Sequence, residues 1–259
     1  MIKEKAYHCG LDDTIDIMQE IAIKKNKIKS IFEIEVLKVL KEFNKKYGTK
    51  FTLYLFYEKE NFKLSDMPDD FKPEWEENSD WLRLSFHART KKIPDAPYKN
   101  ASYEVAKQDF WLVKNEILRF AGESVWDNYP RTHYWTGSLE AVKAWRDCGI
   151  DGLFYSYPGY PALFFDEERL KKLWNEDFYY DKNLGLIFLP TNINLIRSKE
   201  EISKRLKKLR NNRIIEAFCD DYNLLELKEN MEMVIKWCIE NKYEPAFYEE
   251  VFRKEKNSC

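Results

Sequence analysis

The sequence predicts an α/β fold, in the form of a distorted (β/α)7–8 barrel of the TIM type. Strand-like and helix-like segments alternate along most of the chain, which is typical of parallel βα units. Outside one predicted hairpin, about seven or eight segments have the character of parallel strands, which is the number that closes such a barrel. An open doubly wound sheet remains the alternative, because no sequence signal reports closure.

Composition and charge narrow the setting of the chain. A chain of 259 residues, of which 44% are hydrophobic, can bury one sizeable core, so we expect a single domain over residues 1–259. The 43 Lys and Arg residues are balanced by 45 Asp and Glu residues, which leaves no basic footprint for nucleic acid. A local basic run over residues 204–210 carries two leucines at helical spacing, and we interpret it as the solvated face of a helix.

Cysteine usage and hydropathy indicate the compartment. The five cysteines are odd in number and form no CxxC pair, so neither a disulfide framework nor a structural zinc cluster is predicted. No window reaches the length of a membrane span, and the N-terminus lacks the basic flank and apolar core of a signal peptide. We therefore expect a cytoplasmic protein without a membrane partner, and the sequence predicts no oligomeric state.

The elements of the first half follow from periodicity and turn residues. A short apolar strand ends at two aspartates and is followed by a helix-like segment. Aromatic and β-branched runs predict further strands, and helical spacing of apolar residues predicts helices, with Ser138 as an N-cap. In chain order we predict strands over 51–57 and 81–87 with a long loop over 61–79 between them, a helix over 102–119, a strand over 130–135, a helix over 139–147 and a strand over 152–157.

The second half continues the alternation less regularly. Turn residues at 181–183 separate two aromatic and aliphatic runs, which predicts a hairpin. The predicted elements are a helix over 167–174, hairpin strands over 178–180 and 184–189, a helix over 198–210, a strand over 214–218, a helix over 224–240 and a last short strand over 246–248.

Paired carboxylates end the first predicted strand. Asp12 and Asp13 stand at its C-terminal edge, which is where α/β barrels carry their chemistry. Like charges held close together push their pKa values apart, so one acid can stay ionised as a metal ligand while the other acts as a base. The alternative is structural, a helix N-cap with an acidic first turn.

Histidine supplies the second candidate group. Of the three histidines, His87 and His133 stand at or near the C-terminal ends of predicted strands. One carboxylate and two imidazoles suit Zn²⁺ or a similar divalent ion that activates water, whereas a lone histidine there is explained by structural hydrogen bonding. His8 lies within the first strand, where it either faces the core or orients one of the two aspartates.

Three motifs resemble those of NodB-type polysaccharide deacetylases. Residues 11–14, LDDT, resemble the first motif of that family, in which the first acid is the catalytic base and the second binds the metal. Residues 84–87, LSFH, resemble the strand that carries the first metal histidine. Residues 129–135 and 138–150 are similar to the Arg-x-Pro-Tyr motif and its helix. The resemblance covers residues 5–157 and implies that Arg131 orients the base.

The sequence also departs from that family. Lys91 stands where the family has its second metal histidine, and His133 stands where it has a proline, so the resemblance implies that His133 replaces the missing ligand. The late histidine acid of the family is absent, and its nearest counterpart by position ends in Asp220 and Asp221. Either aspartate serves as an acid only with a raised pKa, and both are also explained as a helix cap.

Taken together, the residues and the resemblance predict a metal-dependent, deacetylase-like hydrolase that removes an acyl group from a carbohydrate. The expected cofactor is one divalent ion, with Zn²⁺ favoured. Two alternatives stay open: an inactive barrel that binds a carbohydrate or a partner, and another metal-dependent hydrolase such as a glycosidase. The assigned residues are the metal ligands Asp13, His87 and His133, the catalytic residues Asp12, Arg131 and Asp220, and the sugar-stacking aromatics Trp135, Tyr155 and Tyr157.

Overall fold

The computed structural model describes residues 5–91, 97–160 and 162–252. The strands of this part of the chain are β1 (Ala6–Thr14), β2 (Phe51–Lys59), β3 (Phe62–Lys63), β4 (Leu82–Thr90), β5 (Gly152–Tyr155), β6 (Tyr179–Asp181), β7 (Leu186–Pro190), β8 (Ile193–Asn194), β9 (Ile214–Asp220) and β10 (Glu244–Pro245). Its α-helices are α1 (Asp16–Lys24), α2 (Glu35–Tyr47), α3 (Lys72–Glu77), α4 (Tyr103–Phe120), α5 (Leu139–Asp147), α6 (Glu167–Leu173), α7 (Lys199–Lys208), α8 (Leu224–Glu240) and α9 (Tyr248–Phe252). None of these helices is long and apolar enough to cross a membrane.

Strand β1 lies at the centre of the larger of two sheets. All nine of its residues are buried, and it pairs in parallel with β2 on one side and with β9 on the other. Strand β4 extends this sheet beyond β2, and β8 extends it beyond β9. The smaller sheet has the order β5-β7-β6, in which β5 and β7 are parallel. The α/β class with mainly parallel strands is therefore confirmed.

The two sheets meet through short backbone contacts. On one side, Leu84 of β4 bridges to Trp126, and the Asp151 N–H next to β5 donates to the Asn128 carbonyl at 2.9 Å. On the other side, the consecutive strands β7 and β8 belong to different sheets. Strand β7 pairs with β5 in the smaller sheet, and β8 pairs with β9 in the larger one. The strands β1, β2, β4, β5, β7, β8 and β9 thus follow one another in chain order around the molecule, but a continuously hydrogen-bonded barrel is not confirmed among the described residues.

Asn192 joins the smaller sheet to the larger one. It lies between β7 and β8, and its side-chain amide donates to the Ile214 carbonyl at 3.1 Å and accepts from the Glu216 N–H at 2.9 Å. These two bonds replace the backbone pairing that the break between the strands removes. Buried backbone groups without a partner are costly, so this side chain completes the sheet.

Most predicted helices are confirmed, and their first turns show why the chain starts them there. Ser102, Ser138 and Ser198 each accept a hydrogen bond from a backbone N–H of the first turn, which satisfies one of the donors that a helix leaves open. The predicted strands over 51–57 and 214–218 lie within β2 and β9, the strand predicted over 81–87 overlaps β4 from residue 82 onward, and the predicted hairpin is the antiparallel pair β6 and β7.

Three element predictions were wrong. Residues 130–135 form no strand, because Tyr134 and Trp135 both have positive φ angles of 52° and residues His133–Trp135 form a 3-10 turn instead. The predicted loop over 61–79 contains β3, a 3-10 turn and α3. The last strand is β10 rather than residues 246–248, which lead into α9.

We expect Asn192→Ala to lower the free energy of unfolding by about 2–6 kcal/mol, because it leaves two buried backbone groups unpaired at about 1–3 kcal/mol each. Urea unfolding followed by circular dichroism measures the change. Asn194→Ala is the matched control, since among the described residues its side chain accepts from the Ile196 N–H alone, at an exposed position where water can replace that bond. Equal losses in the two variants would contradict the role given to Asn192.

Candidate metal centre and its cavity

The end of β1 directs two consecutive carboxylates into one cavity. Successive side chains of a regular strand point to opposite faces, so Asp12 and Asp13 would normally diverge. Here the pairing of β1 with β2 becomes irregular between Leu11 and Thr14, and Asp13 adopts a left-handed backbone with φ of 57°. Both carboxylates consequently line a cavity of about 190 Å³. Such irregularities are common where a strand re-aims a functional side chain.

Asp13, His87 and His133 form a compact group of three ligand atoms. Asp13 Oδ1 lies 3.2 Å from His87 Nε2 and 3.2 Å from His133 Nδ1, and the two nitrogens are 3.1 Å apart. Ligands held at about 2.0–2.1 Å in a tetrahedral zinc site lie about 3.3 Å from one another. All three residues are buried. The group therefore has the spacing and the chemistry to hold one divalent ion.

Hydrogen bonding orients His87 for this role. Its Nδ1 donates to the backbone carbonyl of Arg131, which leaves Nε2 as the ring atom that faces Asp13 and His133. A metal-ligating histidine is usually held in this way by a partner on its other nitrogen. The Phe56 ring packs against both imidazoles in edge-to-face geometry, with centroids about 5 Å away, and limits their rotation.

The pKa shifts of the three residues keep the carboxylate of the group ionised. Burial acts to raise the pKa of Asp13, but hydrogen bonds from His133 and His87 outweigh it and hold the pKa far below its usual range. For His133 burial dominates and lowers the pKa. Burial also acts to lower the pKa of His87, but its hydrogen bond to Asp13 and the charge of Asp12 give a net rise. Asp13 therefore stays negatively charged.

Lys91 forms an ion pair with the outer carboxylate oxygen of Asp13. Its Nζ lies 2.8 Å from Asp13 Oδ2 and 4.6 Å from the centre of the Tyr222 ring. The other oxygen, Oδ1, faces the two histidines. Lys91 thus stands at the position of the expected second histidine without taking the place of His133, which fills the triad from the turn after Arg131.

Arg131 holds Asp12 from inside the molecule. Its Nε donates to Asp12 Oδ1 at 2.7 Å, its Nη1 donates to Glu216 Oε1 at 2.6 Å, and no part of its side chain is exposed. The guanidinium also lies 4.2 Å from the centre of the Tyr54 ring. Burial raises the pKa of Asp12 to about 6, and the charge of Arg131 opposes that rise. Asp12 is thus oriented and has the pKa of a usable base.

Glu216 connects this pair to a buried network, which the sequence did not predict as part of the site. Its Oε2 accepts from the Tyr248 hydroxyl at 2.6 Å and lies 2.9 Å from His8 Nδ1. His8 Nε2 lies 3.0 Å from the hydroxyl of Thr52. His8 therefore faces the core and acts on Asp12 only through Glu216 and Arg131. The sequence did carry one signal for this network, a charged residue inside the apolar run of β9. Because buried charges are nearly always paired, Glu216 indicated a buried partner.

Gly10 leaves room for the Arg131 guanidinium. A Cβ atom at this position would lie 2.1 Å from Arg131 Nη2 and 2.7 Å from Tyr54 Cε2, and both side chains are fully buried. The residue is a close-approach glycine, whose role becomes visible only once the arginine is placed.

The two aspartates at the end of β9 have different surroundings. Asp220 is opposite Asp12 in the strand register, lines the cavity and accepts from the Tyr222 hydroxyl at 2.5 Å. The side chain of Asp221 is buried, and burial raises its pKa to about 7. Of the two, Asp220 is the one that faces the cavity.

The predicted aromatic residues separate into three environments. Trp135 lines the cavity, and its Nε1–H donates to the Thr191 hydroxyl at 2.9 Å. Tyr157 lines a second cavity nearby. Tyr155 is fully buried, and its hydroxyl donates to the Leu173 carbonyl at 2.8 Å. The structure therefore corrects the assignment of Tyr155, whose ring belongs to the core and offers no face to a sugar.

Comparison with known proteins yields structural matches alone. No protein-family profile matches the chain, and no curated protein matches it in sequence. A family 4 acetyl xylan esterase from Clostridium thermocellum, solved in complex with a cobalt ion, aligns with a TM-score of 0.53 over 97% of this chain and 92% of that chain at 12% identity. A CE4 esterase from Streptococcus mutans aligns with a TM-score of 0.52 over 94% and 85% of the two chains at 12% identity. The chain has the fold of these carbohydrate esterases.

We expect Gly10→Ala to destabilise the protein by about 3–5 kcal/mol, the cost of breaking a buried ion pair, because the new methyl group displaces Arg131 from Asp12 and Glu216. Thermal and urea unfolding measure the loss. Gly185→Ala is the matched control: a Cβ there meets no atom of the described residues within 4 Å, so only the positive φ of 65° is penalised, at about 1–2 kcal/mol. A Gly10→Ala variant as stable as this control would contradict the packing argument.

Proposed function

We propose that the protein is a metal-dependent carbohydrate deacylase, which removes an acyl group from a sugar. The observation that carries this proposal is that a three-ligand group and an arginine-held carboxylate line one cavity. The shared fold of family 4 carbohydrate esterases supports the substrate class, since the two compared structures are named as esterases of that family.

The ion would be held by Asp13, His87 and His133, and we propose Zn²⁺ as the species. When bound, a divalent ion of this kind polarises the acyl carbonyl and makes water a better nucleophile at neutral pH. The protein keeps Asp13 charged and fixes the His87 ring through the Arg131 carbonyl. These features prepare the ligand atoms before any ion arrives, which favours affinity.

Asp12 is the proposed base. Its Oδ1 is held by Arg131, so Oδ2 remains to accept the proton of the attacking water, and its raised pKa of about 6 brings it near the range where proton transfer is efficient. Asp220 is the neighbour of Asp12 in the strand register and lines the same cavity, and it is the proposed proton donor to the leaving oxygen or nitrogen. Trp135 at the rim is the proposed surface for a sugar ring.

Lys91 favours a second candidate function, a site that binds a carbohydrate without turnover. Its ammonium group bonds to the same carboxylate that would hold the ion, and a positive charge at that distance opposes the binding of a cation. In that case the cavity and the aromatic rim still bind a carbohydrate, but the metal-dependent hydrolysis is lost. Metal content and turnover separate the two functions.

We expect His133→Ala to weaken the binding of Zn²⁺ more than about 100-fold, because it removes a ligand. Removing a residue that only hydrogen-bonds to a ligand already lowers metal affinity about 10–100-fold. Titration with Zn²⁺, Co²⁺ and Mn²⁺ against a competing chelator measures the affinity, with about one ion per chain expected for the wild type. Lys91→Met is the control variant and should bind as tightly or more tightly. A wild type that takes up none of these ions while folded would exclude the metal centre.

We expect Asp12→Asn to lower turnover by about 10²–10⁴-fold, the usual cost of removing a positioned base, with metal affinity unchanged. Acetate release from acetylated xylan and from N-acetylglucosamine oligomers measures turnover. Asp221→Asn is the comparison variant, because that residue does not line the cavity. If the metal-loaded wild type releases no acetate and Asp12→Asn binds the same glycans equally well, the protein is a binding module.

A further inference from the structure

A row of four aromatic rings leads away from the metal centre. Trp135 at the first cavity lies 6.0 Å, between ring centroids, from Tyr160, which lies 5.1 Å from Tyr157. Tyr157 in turn lies 6.1 Å from Trp174. Aromatic faces are suited to the flat faces of sugar rings, and the half-buried Trp135, Tyr157 and Trp174 are held by neighbours rather than free in solvent.

The row ends at a second cavity, which we call the arginine cavity. It has a volume of about 290 Å³, close to the lower end of ligand pockets at about 300 Å³. It is lined by Tyr157 and Trp174 from the aromatic row and by Arg197 and Arg205. Thr191 also lines it and accepts the Trp135 hydrogen bond, so the two cavities are neighbours.

Arg205 has hydrogen-bonding capacity that the protein does not use. Its guanidinium lies 4.5 Å from the centre of the Trp174 ring, and its Nε donates to the Asn192 carbonyl at 3.3 Å. Its Nη2 is shielded from solvent and has no acceptor among the described residues. A buried donor without a partner is costly, which indicates that an acceptor belongs beside it. The basic run over 204–210 was predicted to be a solvated helix face, but its residue Arg205 lines the arginine cavity instead.

The charge of the cavity favours an anion. Arg197 Nη2 lies 3.5 Å from the Tyr157 hydroxyl, at the same wall as Arg205. Among the described residues that line the cavity, Glu201 is the one acidic residue, and its Oε2 is already engaged with the backbone N–H and hydroxyl of Ser198 as a helix cap. Two guanidinium groups thus face one capped carboxylate, and guanidinium groups recognise carboxylates and phosphates through paired N–H donors.

We propose that the arginine cavity binds the acidic group of a sugar unit, a carboxylate or a phosphate, in the same carbohydrate chain whose acylated unit lies at the metal centre. That this carbohydrate chain is a substrate rests on the proposed function, whereas the binding of its acidic group does not. Arg205 and Arg197 hold the acid, Trp174 and Tyr157 stack on its ring, and the aromatic row carries the intervening units. The protein would then prefer acidic glycans to neutral ones.

Isothermal titration of the full chain with D-glucuronate, D-glucose 6-phosphate and D-glucose tests this inference. We expect saturable binding of at least one acidic sugar and none of D-glucose, and the stronger of the two acidic sugars identifies the group as a carboxylate or a phosphate. Arg205→Gln should weaken that binding about tenfold or more, the effect of losing a hydrogen bond to a charged partner. Lys204→Gln removes the same charge from the exposed face of the same helix and should leave the affinity within about twofold.

Each titration is repeated with a chelator, so that a sugar bound by an ion at the metal centre is recognised by its loss. Arg197→Gln, at an exposed side chain, gives an independent variant should Arg205→Gln fail to fold, and it should also weaken the acidic sugar. Equal binding of D-glucose, no binding of either acidic sugar, or unchanged affinity in the folded arginine variants would overturn the inference. Failure of the proposed function appears instead as missing metal or missing acetate release, which these titrations do not involve.

Discussion

The candidate site depends on one buried cation, the guanidinium of Arg131. An unpaired guanidinium in the interior would cost several kcal/mol of desolvation, so the fold must supply carboxylates on both sides of it. Asp12 does so from the end of β1 and Glu216 from β9, at 2.7 and 2.6 Å. Since Asp12 also lines the cavity, the same ion pair that makes the arginine tolerable inside the protein fixes the orientation of the proposed base.

This arrangement makes the interior of the fold part of the site. Glu216 bonds to His8 and Tyr248, and Thr52, which lies beside His8, donates to Asp127 at 2.7 Å. The chain of contacts therefore joins β1, β2, β9 and the segment that follows Trp126. A network of this kind is rigid only when its members are satisfied, and removal of one charge leaves its neighbour exposed to the low dielectric of the interior. Substitutions deep in the sheet should accordingly alter the base through Arg131.

The sequence predicted the edge at which the site residues meet more reliably than the way each side chain reaches it. Parallel strands end at one edge, so Asp12 and His87 were expected to approach each other from hydrophobic pattern alone. His133 reaches them from a 3-10 turn with left-handed residues rather than from a strand, and no pattern of ordinary residues reports such a backbone. The assignment of Tyr155 to a sugar-binding surface was wrong because β5 is buried along its whole length, on both faces. The position of Glu216 inside an apolar strand indicated a buried charge, but the sequence did not identify its partner.

The charge of Lys91 bears on whether the site binds a metal ion and turns over a substrate or only binds a carbohydrate. Asp13 contributes one negative charge to the ligand group, and Lys91 neutralises it from the Oδ2 side. A divalent ion must therefore enter a group that is close to neutral overall, which weakens its electrostatic gain compared with a group of one carboxylate and two imidazoles alone. The Lys91 side chain is 42% exposed, however, and a lysine stem is flexible and its ammonium well hydrated in water. Its contact with Asp13 is therefore cheap to break, so Lys91 tunes the affinity of the site for a cation without sterically blocking the face that His87, His133 and Asp13 Oδ1 share.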